Sequence, residues 1–233
     1  MFPIIILSGG LATRLRPITE KIPKSLIDIN GQPFIFHQLN LLQKRGFKRV
    51  HYCLGFLGEM IEEVITKSDF INKIEITFSY DGEKLLGTGG TVKKIINTLP
   101  ENFFITYGDS YLDIDYITMQ KEFIKLNVNS FKNGIMAIYK NDNNFDQSNV
   151  IFNKNRFLYS KNIISSEMNY IDYGVSILNK SHFLENENQE IFDLSLIYEK
   201  LVIDCRLNPY EVYNRFYEIG SLKGIDEIKN FLN

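Results

Sequence analysis

A chain of 233 residues with 44% hydrophobic residues can bury one sizeable core, so one domain, residues 1–233, is expected. With 26 Lys and Arg against 28 Asp and Glu, the formal charge of -2 gives no support to non-specific nucleic-acid binding. The two cysteines, Cys53 and Cys205, make a disulfide framework improbable, and the absence of a signal peptide or a bilayer-length apolar run points to a reduced, cytoplasmic protein with no membrane insertion.

The first half alternates strand and helix patterns. Ile4–Leu7 is a short buried strand ended by Gly9-Gly10. Residues Pro33–Lys44 place Phe34, Leu39 and Leu42 on one helical face, and Gly46 closes that helix. Val50–Leu54 predicts a second strand with Cys53 inside it, Glu59–Ile65 a helix and Ile74–Ser79 a third strand. Thr91–Leu99 predicts a helix after a glycine cluster, and Phe103–Tyr107 a fourth strand that stops at Gly108-Asp109. Such alternation implies right-handed crossovers and a mainly parallel sheet. Beyond about residue 115 the order changes. A helix at Tyr116–Leu126 gives way to short strands at Gly134–Tyr139, Asn149–Phe152, Arg156–Ser160 and Tyr173–Leu178, with polar turns between them. Helices at Leu194–Leu201 and Leu222–Leu232 finish the chain. The expected organisation is a nucleotide-binding half, about 1–115, and a second half, about 116–233, that builds a substrate wall.

Chemistry concentrates in a few places. Leu7-Ser8-Gly9-Gly10-Leu11-Ala12-Thr13 follows the first strand, and paired glycines let a backbone approach phosphate oxygens with its N–H groups. Arg14 adds a planar fork of donors. Pro23-Lys24-Ser25-Leu26 holds a lysine in a proline-restricted loop. Leu86-Gly87-Thr88-Gly89-Gly90 is a second glycine cluster before a helix. Asp109 stands after the fourth strand, where ligands of open α/β sheets sit. An ordinary turn would account for Gly9-Gly10 alone, but not for the whole run. The run is neither a Walker A loop, which ends in G-K-[ST], nor the Rossmann G-x-G-x-x-G, so a dehydrogenase is disfavoured.

The run Gly9-Gly10-Leu11-Ala12-Thr13-Arg14-Leu15-Arg16-Pro17-Ile18-Thr19, then Pro23-Lys24-Ser25-Leu26, resembles the G-G-x-G-T-R-L-x-P-x-T … P-K-x-L signature of the sugar-phosphate nucleotidyltransferases. The resemblance covers nearly the whole chain and is closest to short members such as heptose 1-phosphate guanylyltransferases and N-acetylmuramate 1-phosphate uridylyltransferases. It implies a Rossmann-like α/β fold of the glycosyltransferase-A kind, a mixed, mainly parallel sheet flanked by helices. It implies transfer of a nucleotidyl group from an NTP to a sugar 1-phosphate, with release of pyrophosphate, for surface polysaccharide or lipopolysaccharide synthesis.

Residue by residue, the resemblance assigns Arg14 to the leaving pyrophosphate and Lys24 to the reacting phosphates. Residues Leu7 to Thr13, Gly87, Thr88, Gly89 and Gly108 would contact the nucleotide, the second cluster taking base and ribose. Asp109 would hold Mg²⁺ with Glu218, which stands in Glu218-Ile219-Gly220 where the family has D-I-G. Lys161 would hold the sugar phosphate, and Asp172, Tyr173 and Gly174 would line the sugar pocket. Three departures stand out. Ala12 replaces a glycine and is strained if φ is positive there. Glu218 adds a methylene, so its carboxylate either reaches the metal directly or acts through water. Asp172 replaces an amide and, ionised, only accepts hydrogen bonds. A cytidylyltransferase for a phosphorylated alcohol or amine such as phosphocholine shares the loop and is the main alternative. A silent nucleotide-binding regulatory subunit and a NAD-linked oxidoreductase are the others. The base, the sugar and the oligomeric state stay open.

Overall fold

The computed structural model describes residues 1–82, 84–129, 133–154, 156–185 and 189–233. The chain forms two compact units built from separated stretches. The first comprises Met1–Leu85, Thr106–Asp113 and Phe216–Asn233, and the second Leu86–Ile105 and Ile114–Arg215. The division therefore does not fall at one point near residue 115. The C-terminal stretch returns to the first unit because Ile219, Ile225 and Ile228 pack with Leu15, Ile27, Ile29 and Phe34 in one buried cluster.

The first unit opens with β1 (Ile4–Ser8), in which Ile4, Ile5 and Ile6 are fully buried. A strand covered on both faces needs such a continuous apolar run. Three single-turn 3-10 helices follow at Thr13–Leu15, Ile18–Glu20 and Lys24–Leu26. Strands β2 (Asp28–Ile29) and β3 (Gln32–Pro33) then form a small hairpin. Helix α1 (Phe34–Lys44) ends before Gly46, whose φ of +93° suits a left-handed cap. Next come β4 (Arg49–Leu54), α2 (Gly58–Thr66) and β5 (Glu75–Tyr80). β1 pairs in parallel with β4, and β4 with β5, with Ser8, Leu54 and Tyr80 in register. The carboxyl ends of three strands thus stand level, and Gly9, Gly55 and Asp81 follow them.

The second unit begins with α3 (Gly87–Lys94) and the first part of β6 (Asn102–Tyr107), residues 102–105; residues 106–107 belong to the first unit, as does β7 (Ser110–Tyr111). Helix α4 (Tyr116–Leu126) is capped by the Asp115 carboxylate, which accepts from the Thr118 amide at 2.9 Å. Then follow β8 (Gly134–Lys140), β9 (Val150–Asn153), β10 (Arg156–Tyr159), β11 (Tyr170–Asn179), the single turn α5 (Ser181–Leu184), α6 (Ser195–Ile203) and β12 (Leu207–Val212). Here pairing is mixed: β8 is antiparallel to β11 and parallel to β12, and β9 is antiparallel to β10. The chain ends in the first unit with β13 (Tyr217–Glu218), antiparallel to β7, and α7 (Leu222–Phe231). The architecture is α/β with a mixed sheet, as the alternation of patterns implies.

Candidate active site

The loop after β1 is shaped by close backbone packing. A Cβ on Gly55 would lie 2.6 Å from the Gly9 carbonyl oxygen, so the two glycines let neighbouring strand ends touch. Gly108 serves the same end: its amide donates to the Leu7 carbonyl at 2.9 Å, and a Cβ there would lie 1.8 Å from Ser8 Oγ. Gly10 differs. It has no positive φ, and an added Cβ would meet nothing within 4 Å. Neither a turn nor packing demands glycine at Gly10, and its face is open to a ligand.

Ala12 adopts φ 46° and ψ 43°, the left-handed conformation expected where the family carries glycine. The Thr19 hydroxyl donates to the Ala12 carbonyl at 2.8 Å and the Leu15 amide donates to it at 3.1 Å, so the strained residue is held from the carbonyl side. This turn leads into Thr13–Leu15, where Leu15 is buried and Arg14 exposed. Among the described residues Arg14 makes no ion pair, which leaves its fork of donors available to an anion.

Lys24 lies between buried Pro23 and Ser25, and its Nζ donates to Asp109 Oδ2 at 2.5 Å. Both side chains keep contact with solvent, at 20% and 25% exposure, so the pair is reachable by a ligand. The turn that carries Asp109 is fixed from below by Gln38, which is buried on α1 and donates to the carbonyls of Tyr107 at 2.9 Å and Ser110 at 2.8 Å. Sequence reasoning passed over this glutamine; a lone amide on the apolar face of a helix was the available signal.

Glu218 comes to the same turn through the β7–β13 ladder. It stands opposite Ser110, and the Ile219 amide donates to the Asp109 carbonyl at 3.0 Å. Its carboxylate folds over Gly220, where a Cβ would lie 3.0 Å from Oε1 and 3.2 Å from Oε2. Absence of a side chain at Gly220 is what leaves room for that carboxylate. Oxygen donors on the Asp109 turn and on the strand beside it, one in a cradle that a Cβ would fill, suit a hard divalent cation such as Mg²⁺.

The second glycine cluster is explained differently from the expectation. Gly87, Gly89 and Gly90 lie in the first turn of α3, not ahead of the helix. Their side-chain faces are filled by the chain itself: a Cβ would lie 2.6 Å from the Phe192 carbonyl oxygen at Gly87, 2.2 Å from the Phe192 ring at Gly89 and 2.2 Å from the Glu190 carbonyl oxygen at Gly90. The amides of Gly89 and Gly90 donate to the Phe192 carbonyl at 2.9 and 3.2 Å, and Thr88 Oγ1 accepts from the Leu194 amide at 2.8 Å. The close approach that these glycines permit is to residues 190–192, and a base lying flat on them is not what requires glycine.

In the second unit the sugar-side residues fall on β10 and β11. Gly174 has φ +95° at an irregularity in the β8–β11 pairing between Asp172 and Ser176, a bulge for which glycine is suited. Its amide donates to Asp172 Oδ1 at 2.9 Å. Burial pushes the Asp172 carboxyl up to about 6, against the opposing pull of that amide and of the Lys161 charge. The protonated form, favoured below about pH 6, carries a donor as well as acceptors, so the acceptor-only character holds for the ionised form. The Tyr173 ring is buried at 2% exposure against Tyr139, with its hydroxyl donating to the Arg215 carbonyl at 3.4 Å. Lys161 Nζ donates to Asp193 Oδ2 at 2.6 Å, and the Lys161 amide to Glu199 Oε1 at 3.2 Å. Burial alone would raise the Asp193 carboxyl, but the hydrogen bonds from Lys161 and Ser195 and the lysine charge hold it below its ordinary value. Asp193 and Glu199 were not singled out from the sequence, being 30 and more residues from Lys161.

Parallel strands whose carboxyl ends carry an open glycine loop, an exposed arginine and a lysine–carboxylate couple define an α/β enzyme that handles phosphorylated nucleotides. The chain belongs to the nucleotidyl transferase family, whose model matches residues 4–146. It is 31% identical over 190 residues to D-glycero-alpha-D-manno-heptose 1-phosphate guanylyltransferase of Campylobacter jejuni, covering 81% of this chain and 80% of that protein. It is 30% identical over 217 residues to the catalytic subunit beta of mannose-1-phosphate guanylyltransferase of Drosophila pseudoobscura; this is 90% of the chain, which spans 55% of that relative. HddC from Yersinia pseudotuberculosis, complexed with GMP-PN, shares the fold with a TM-score of 0.80 over 100% of both chains at 23% identity. Among the described residues no helix is long and apolar enough to cross a membrane.

Proposed function

We propose that this nucleotidyltransferase transfers a guanylyl group from GTP to a sugar 1-phosphate, forming a GDP-sugar and pyrophosphate in the cytoplasm, with a heptose 1-phosphate as the first acceptor to test. The observation that carries the reading is the Lys24–Asp109 couple at 2.5 Å, on a turn tied by backbone to the glycine loop through Gly108 and Leu7. The guanylyltransferase relatives supply the base and the acceptor class.

The acceptor phosphate oxygen attacks the α-phosphorus in line and pyrophosphate leaves from the opposite side. A phosphate monoester is already anionic, so no protein nucleophile is required, and the protein's contribution is positioning and charge neutralisation. Open Gly10 lets phosphate oxygens approach the loop backbone. Arg14 takes the leaving pyrophosphate, Lys24 the reacting phosphates and Lys161 the sugar phosphate. Asp109 and Glu218 would hold Mg²⁺, which supplies charge neutralisation when bound. Purified protein incubated with each NTP against a panel of sugar 1-phosphates, scored by pyrophosphate release, tests the reading. Release with GTP and a sugar 1-phosphate, abolished by EDTA, is expected. Release with no pair would overturn it, and release with CTP and phosphocholine alone would replace it.

A further inference from the structure

Gln38 is the polar member of an apolar stripe on α1. It lies one turn after Phe34 and one turn before Leu42, both buried, and is itself 2% exposed. We infer that Gln38 is a positioning residue for the reaction: it sets the place of the Asp109 carboxylate without touching it, and thereby how tightly the cation is held there. The inference rests on the role given to Asp109 in the transferase reading above and adds a residue to it.

The geometry is a clamp across the turn between β6 and β7. Gln38 Nε2 donates to the Tyr107 carbonyl at 2.9 Å and to the Ser110 carbonyl at 2.8 Å. Its two hydrogens thus hold the residue two before Asp109 and the residue after it. Both partners are carbonyl oxygens, which only accept, so the NH2 end must face them. Two backbone ties complete the frame: the Gly108 amide donates to the Leu7 carbonyl at 2.9 Å, and the Ile219 amide to the Asp109 carbonyl at 3.0 Å. The carboxylate itself accepts from Lys24 Nζ on Oδ2 at 2.5 Å and from the Ser110 hydroxyl on Oδ1 at 3.2 Å. Ser110 joins the clamp to the site. Gln38 holds its carbonyl, its hydroxyl donates to Asp109, and it stands opposite Glu218 in the β7–β13 pairing. A shift of Ser110 would move both carboxylates assigned to the cation.

Glutamine here carries a cost that packing does not explain. Gln38 Oε1 is buried and has no hydrogen-bond partner among the described residues. A buried polar atom left unpaired is unfavourable, and leucine or methionine would fill the same stripe without one. Those side chains, however, would withdraw both donors from the Tyr107 and Ser110 carbonyls. Lysine or arginine could donate, but each would bury a charge among apolar neighbours. Asparagine is one methylene shorter. Glutamine is the neutral side chain of this length that spans the turn with two donors on a single nitrogen. The orphaned oxygen comes with that choice.

The test is the gain in nucleotide affinity that Mg²⁺ brings, measured by calorimetry without acceptor. GTP, ATP, CTP and UTP are ranked on the wild type, and the tightest is titrated with Mg²⁺ and with EDTA. Gln38→Met keeps the length and loses the donors, and Gln38→Asn keeps the donors and withdraws them by a methylene. Each, checked for native circular dichroism, is expected to lose about 10- to 100-fold of the Mg²⁺ gain, the usual cost of losing a group that orients a metal ligand. Asp109→Asn should lose at least as much. Leu42→Ala, which opens the same stripe without touching the turn, should lower the urea midpoint and keep the wild-type gain. In turnover, the Gln38 variants should lower kcat and raise the Mg²⁺ requirement, with KM for the sugar phosphate unchanged. Folded Gln38 variants that keep the wild-type gain would overturn the inference, as would a wild type in which Mg²⁺ brings no gain or Asp109→Asn leaves it intact. Failure of both Gln38 variants to fold would overturn it too, since the amide would then serve the core. Pyrophosphate release assayed in parallel separates the two claims: a Mg²⁺ gain that depends on Gln38 and Asp109, without turnover on any acceptor, sinks the transferase reading and leaves the positioning role standing.

Discussion

Two residues carry predictions of opposite kinds. Lys24 is held in one place by buried neighbours and by Asp109, so replacing it removes a charge without removing a core contact. Lys24→Ala is expected to lower turnover by about 10²–10³-fold, the usual effect of losing a group that stabilises transition-state charge. Pyrophosphate release and circular dichroism together check this, and near-normal release from folded protein would remove Lys24 from the mechanism. Ala12, in contrast, is a conformational liability. Its φ of 46° costs a side-chain-bearing residue about 1–2 kcal/mol, partly offset in Ala12→Gly by the greater freedom of glycine in the unfolded chain, about 0.4–1 kcal/mol. Ala12→Gly is therefore expected to stabilise the protein by up to about 1.5 kcal/mol in urea unfolding, and a loss of stability would show that the Ala12 methyl contributes packing that outweighs the strain. Both residues were legible in the sequence because they sit inside a long local motif. Gln38 and Asp193 were not, because each acts on a partner that only the folded chain supplies: the Tyr107 and Ser110 carbonyls and Lys161.

At the scale of elements, strands with continuous apolar runs and helices with clear periodicity were readable: β1, α1, β4, α2, β6 and α4 fall within a residue or two of their expected bounds. Strand β12 was missed because Leu207–Val212 carries Pro209 and three polar or half-buried positions, a pattern that argues against a strand. It forms because it lies at an edge, pairing only with β8 among the described strands. The two-residue strands β7 and β13 escape any periodicity test, yet they place Glu218 beside the Asp109 turn. Their role yields a prediction about Gly220. A Cβ there would sit 3.0 Å from Glu218 Oε1, so Gly220→Ala pushes the carboxylate out of its cradle without changing any charge. If Glu218 is a metal ligand, Gly220→Ala and Glu218→Gln should both raise the Mg²⁺ concentration for half-maximal pyrophosphate release, with activity partly recovered at high Mg²⁺. Metal titrations of both variants that overlay the wild type would leave Asp109 to hold the cation without Glu218.

For the whole molecule, the consequence of burying Asp172 is a stability that depends on pH. Its folded pKa, pushed up to about 6, exceeds its ordinary value of 3.8, so the folded state binds the proton more tightly than the unfolded state. The sign follows: the group favours folding fully below about 4, and that contribution is lost as pH rises through 6. Above neutrality the chain carries the cost of a half-buried carboxylate, at most on the order of 3 kcal/mol for a shift of this size. Lys161 lessens that cost by its charge, and Asp193 and Glu199, both close to Lys161, divide its attention. Asp172→Asn keeps an oxygen for the Gly174 amide and removes the charge. Its stability relative to wild type should therefore rise between pH 4.5 and 7.5, most steeply around pH 6. Urea unfolding of both proteins at pH 4.5, 6.0 and 7.5 checks this, and two curves that stay parallel across that range would show that Asp172 does not titrate within it. Activity gives a second readout. If the neutral acid donates to an acceptor hydroxyl, the Asn variant, which donates at every pH, should keep its KM for the sugar phosphate constant from pH 5.5 to 8, where the wild-type KM rises as Asp172 ionises. A wild-type KM that is flat over the same range would mean that Asp172 serves the fold of β11 and the bulge at Gly174, and not the sugar.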